Sequence, residues 1–99
     1  MELLIKENSW IAKLAAKKLK SQNVAIVIGK TIYLHNVSKA HFLKDKKWVK
    51  HEMCHVHQFK KFGYFTFIIK YLWESMKHGY HNNKYEVEAR KAENASPGI

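Results

Sequence analysis

The stretch His51-Glu52-Met53-Cys54-His55 places two imidazoles and a carboxylate within five residues. On a helix, residues i and i+4 stand one turn apart on the same face, so His51 and His55 can offer nitrogens to one point. Glu52 is turned by about 100° from His51. It flanks that point without having to occupy it, and is free to take a proton from a metal-bound water. The pattern H-E-x-x-H on a helix suits zinc-assisted hydrolysis, with two histidine ligands and a glutamate general base. Zn²⁺ is therefore the expected cofactor and Glu52 the expected catalytic residue.

A catalytic zinc takes three protein ligands and keeps a fourth position open. In one arrangement the third ligand is a later histidine, in H-E-x-x-H-x-x-G-x-x-H. Here Gln58 stands at the glycine and Lys61 at that histidine, which excludes it. The other source is a carboxylate from a later helix. Acidic residues are scarce, eight in all, yet Glu86, Glu88 and Glu93 share the last predicted helix and Glu74 lies shortly before it. Glu86 and Glu88 point about 200° apart on a helix, so both cannot reach one ion. Ala89, one turn after Glu86, is small enough to let that helix approach the motif helix. This favours Glu86 as the third ligand, with Glu88 second and Glu74 third. Cys54 lies about 60° from His51 around the helix and reads as a packed, inert thiol. His57, His35 and His41 carry no ligand role.

The elements that must position these residues follow from pattern. Residues 8–20 predict a helix capped by Ser9 or Asn8, with Trp10, Ile11, Leu14, Ala15 and Leu19 at helical spacing. Residues 24–35, rich in β-branched side chains, predict two strands joined at Gly29-Lys30. A turn at 36–38 leads to a helical stretch over 39–62, broken near Asp45 and stopped by Gly63. A second apolar helix spans 64–78 and ends at Gly79, a polar connector HGYHNN follows, and Asn83 caps a last helix over 84–93. The expected fold is α+β: a short antiparallel hairpin packed with about four helices in one domain, 1–93, and a disordered tail, 94–99. The apolar helix 64–78 is expected mainly as core behind the motif helix. A leftover apolar patch on it would serve self-association, or an amphipathic contact with a membrane surface.

Length and composition bound the rest. A chain of 99 residues supports one modest core. The net charge is +10, and Arg90 is the one arginine among 18 basic residues. Without the bidentate reading that arginine provides, no specific nucleic-acid partner is expected. A basic domain that binds nucleic acid loosely, through charge alone, is the weakest of the alternatives. A single cysteine excludes an internal disulfide. The longest apolar run, 64–73, is broken by Lys70 and is too short for a membrane span, and the N-terminal residues lack a secretory pattern. The expected location is cytoplasmic.

HEMCHVHQF, YFTFIIKYLW, HGYHNN and YEVEAR together resemble the glutamate zincins, and most nearly small bacterial metallopeptidase-like domains of unknown function. The resemblance spans residues 51–93. It implies a minimal zincin-like fold with H-E-x-x-H on a central helix, ligands His51, His55 and Glu86, and hydrolysis of a peptide bond. It also implies that a strand edge, taken as residues 30–35, borders the cleft and pairs with an extended peptide or protein substrate. Arg90 stands where related families carry an aspartate that orients a metal-bound histidine, so that support must come from elsewhere. Tyr80, His78 and His81 are the candidates to stabilise an oxyanion. The alternative to an enzyme is a zinc-binding interaction module without turnover.

Overall fold

The computed structural model of the chain describes residues 3–94. The elements run β1 (Leu4–Lys6), α1 (Trp10–Leu19), β2 (Val24–Ile28), β3 (Thr31–His35), α2 (Lys39–Lys44), α3 (Lys46–Phe62), α4 (Tyr64–Asn82) and α5 (Lys84–Ala92). The protein is α+β.

Local chemistry sets most boundaries. Ser9 Oγ accepts from the backbone N–H of Ile11 and Ala12, and Ser38 Oγ from that of His41, satisfying donors that a helix start leaves open. Asp45 breaks the helical stretch as expected: its extended backbone ends α2, and its carboxylate accepts from Trp48 N–H at 3.1 Å to start α3. The break makes five helices where about four were expected. Asn83 caps α5 through Tyr85 N–H at 2.8 Å. Gly79, with φ 80°, interrupts α4 where the sequence predicts its end, and a short helical turn follows in place of a polar loop. Of the expected tail, only Asn94 lies within the described residues.

The hairpin forms with Ile28 paired to Thr31, and Gly29 takes the positive φ that a two-residue turn with Gly first requires. The sheet is not a purely antiparallel hairpin, however. β1 adds to β3 in parallel, giving the order β1-β3-β2. Three residues cannot show a period, so β1 is created by its pairing rather than by its pattern. Its presence places β3 in the middle of the sheet. The expected free edge at residues 30–35 is therefore covered, and the exposed edge on that side of the hairpin is β2.

Side chains alternate across the sheet. Val27, Ile32 and Leu34 face α3 and join Phe42, Val56 and Phe67 in the main core. Val24 and Ile26 face α1. That helix seats Ala12 and Ala16 on the sheet, while Trp10 and Leu14 face solvent. The wide apolar spacing of α1 suggested the opposite face. Small residues win because they bring the helix backbone close to the sheet, and bulky ones would hold it off. α5 lies against α3 with Ala89 fully buried between them, and α4 packs beside both. α4 corrects the expectation of a core helix: Phe67 alone is buried along it.

Candidate metal centre

α3 carries His51, Glu52 and His55 on its inner side, with Glu52 and His55 buried and His51 half-buried. α5 brings Glu86, 3% exposed, to the same place. His51 Nε2 lies 3.0 Å and His55 Nε2 3.2 Å from Glu86 Oε1. The donor atoms of the three residues all fall within 4.8 Å of one another. Ligands about 2.0–2.1 Å from a tetrahedral ion stand about 3.3 Å apart, so the two nitrogen–oxygen distances fit such a site. Two nitrogens and a carboxylate are also a donor set that zinc takes.

The outer nitrogens are held as well. His51 Nδ1 donates to Glu93 Oε2 at 2.7 Å, and His55 Nδ1 donates to Gln58 Oε1 at 2.8 Å. Gln58 is fixed in turn by donating to Glu88 Oε1 at 2.7 Å and to the Tyr85 carbonyl at 3.1 Å. Tyr71, from α4, donates its hydroxyl to Glu86 Oε2, which leaves Oε1 facing the histidines. Anchoring of the outer imidazole nitrogen by a carboxylate or amide is the support that metal-binding histidines use. The residue that holds the outer nitrogen of His51 is thus Glu93 and not Arg90, whose guanidinium donates to the His81 carbonyl.

The electrostatics follow from burial and pairing. For Glu86, burial favours the neutral form, but hydrogen bonds from His51, His55 and Tyr71 outweigh it and hold the pKa well below the ordinary value. Burial likewise opposes charge on His51 and His55, yet their carboxylate partners prevail and raise both pKa values above 6.5. Glu52 has no comparable support. Burial pushes its carboxyl up to about 8, with the Glu86 charge adding to it and the His55 charge and a Trp48 hydrogen bond opposing it.

Beside this cluster opens a cleft of about 480 Å³, lined in part by Val24 and Ala25 of β2, Trp48, His51, Glu52 and Tyr80. Among the oxyanion candidates, Tyr80 reaches the cleft. Tyr80 is 45% exposed; the partial burial of its phenol and the charges of Glu86 and Glu52 raise its pKa and keep it protonated. His78 and His81 are exposed and are not among the residues that line the cleft. Glu88 points away from the histidines and holds Gln58, and Glu74 accepts from Lys84 N–H at the start of α5. Cys54 sits between Gln58 and Glu88, with its thiol pushed up to about 11 by burial and the Glu88 charge, which suits an inert group.

Three supporting residues escaped the sequence reading. Glu93 follows Glu86 by seven residues, two helical turns, which is the signal that could have found it. Gln58 follows His55 by three, a spacing that also brings side chains together. Tyr71 had no local signal beyond a hydroxyl within an apolar helix. No protein-family model, curated protein or solved structure matches the chain.

Proposed function

We propose that the protein is a zinc-dependent peptide hydrolase of the glutamate-zincin type. The observation that carries this reading is the orientation of the two imidazoles. Both Nε2 atoms converge on Glu86 Oε1, while both Nδ1 atoms are tied back by Glu93 and Gln58. A zinc ion held by His51, His55 and Glu86 would supply a Lewis acid and lower the pKa of a water toward ~7.

The chain's own residues do the rest. Glu52, in its ionised form, takes a proton from the attacking water onto a carboxylate oxygen and then delivers it to the leaving amine. Tyr80 donates its phenolic O–H to the oxygen that becomes negative on attack. Tyr71 and Glu93 touch no substrate; they hold Glu86 and His51 in place. The free edge of β2 borders the cleft at Val24 and Ala25, so an extended peptide adds there as a further strand.

A second reading has its own support. Every buried side-chain nitrogen and oxygen among the described residues has a hydrogen-bond partner. The cluster therefore also satisfies itself as an ion-paired network in a non-catalytic interaction module. Metal content of the purified protein, measured after zinc is offered, separates the two. The hydrolase reading expects one zinc per chain, lost in Glu86→Ala, and cleavage of a peptide library that Glu52→Gln abolishes. No bound zinc refutes the metal site and leaves the ion-paired network. One zinc with no cleavage of any peptide refutes the hydrolase and leaves a zinc-binding module without turnover.

A further inference from the structure

α4 presents an apolar stripe that nothing among the described residues covers. Phe65, Ile69, Leu72, Trp73 and Met76 recur at the spacing of one helix face, opposite the buried Phe67. Phe65 is 77%, Ile69 67% and Met76 80% exposed. Isolated exposed apolar residues are ordinary, but five on one face form a patch of the kind that marks a contact surface.

The charge beside the stripe says what fits it. Lys70 and Lys77 run along one flank, and Lys60 and Lys61 lie at the end of α3 where α4 begins. Lys77 Nζ stands 5.8 Å from the Trp73 ring, so its stem lies along the stripe with the ammonium group at its margin. The single acid of α4, Glu74, is engaged at the start of α5. An occupant must therefore accept a shallow row of apolar side chains and supply anions beside it. A second copy of the chain does the first and not the second, because each brings a net charge of +10 and no anions beside the stripe.

We infer that α4 docks the protein on an anionic lipid surface, lying flat with the stripe among the acyl chains and the lysines at the headgroups. A helix of this kind is held jointly by buried apolar area and by attraction to anionic lipid. The straight part, up to the break at Gly79, is about 22 Å long, and no helix of the described residues is long and apolar enough to cross a membrane. This inference does not depend on the metal site.

The test is co-sedimentation with phosphatidylcholine vesicles, with and without phosphatidylserine, at physiological salt. Wild type is expected to bind the phosphatidylserine vesicles at least about tenfold more tightly than the neutral ones. Phe65→Ser with Ile69→Ser, both at exposed positions, is expected to weaken that binding by about tenfold or more with an unchanged circular dichroism spectrum. Quenching of fluorescence by brominated acyl chains should be lost in Trp73→Phe. Equal binding to both vesicles, or binding untouched by the double substitution, overturns the inference. So does a wild-type dimer that the double substitution dissolves, or failure to bind the anionic vesicles, which leaves another protein as the occupant.

Discussion

Glu52 is buried where its ionisation costs the chain stability, and substituting it should make the metal-stripped protein more stable. The residue is 5% exposed, and burial lifts the pKa of its carboxyl from 4.5 to about 8. A carboxyl with a raised folded-state pKa holds its proton more tightly in the native chain. The stability that this group contributes is therefore fully present below pH 4.5 and is lost progressively as the pH rises toward 8. Glutamine keeps the shape of the protonated acid and cannot ionise, and its carbonyl oxygen can still accept from Trp48. At about 1.4 kcal/mol per pH unit, the penalty removed by Glu52→Gln is on the order of 4 kcal/mol at pH 8 and under about 1 kcal/mol at pH 5. Urea unfolding of the chelator-stripped wild type and variant at both pH values measures it. The variant should be the more stable at pH 8 and nearly equal at pH 5. A variant no more stable at pH 8 than wild type, or a gain equal at both pH values, would refute the claim that Glu52 is held against its own ionisation.

The supporting residues give further tests. Glu93→Ala should weaken zinc binding by about 10–100-fold in calorimetric titration, through loss of the anchor on His51 Nδ1. Glu88→Ala, which acts one step further out through Gln58, should cost less than Glu93→Ala. Tyr71→Phe leaves Glu86 Oε2 without its hydroxyl donor and should destabilise the protein by about 1–3 kcal/mol in urea unfolding. Ala89→Leu forces apart α3 and α5 at a fully buried position; a loss of about 1–3 kcal/mol accompanied by loss of zinc binding is expected. The stripped protein should also lose stability on both sides of a pH window. Below 4.5 the lowered pKa of Glu86 is lost, and above 6.5 so are the raised values of His51 and His55; melting temperature against pH shows it.

What the sequence determined was what a few neighbouring residues determine. Side-chain caps at Ser9, Ser38, Asp45 and Asn83, the positive-φ glycine of the hairpin, and the breaks at Gly63 and Gly79 act over a few residues and are legible one window at a time. The shared face of His51 and His55 is a property of helix periodicity, and so is the opposition of Glu86 and Glu88. Tertiary structure decided whatever depends on which surfaces meet. β1 exists because β3 offers it a partner, and that pairing moved the open edge from β3 to β2. Periodicity showed that Glu86 and Glu88 cannot both reach one ion; the packing of α5 on α3 set Glu86 against the histidines and Glu88 against Gln58. The anchoring of His51 by Glu93 spans 42 residues, and that of Glu86 by Tyr71 joins two different helices. The same apolar letters were buried in one place and exposed in another, on α1 and on α4, because burial is set by the neighbour a face receives and not by the face alone.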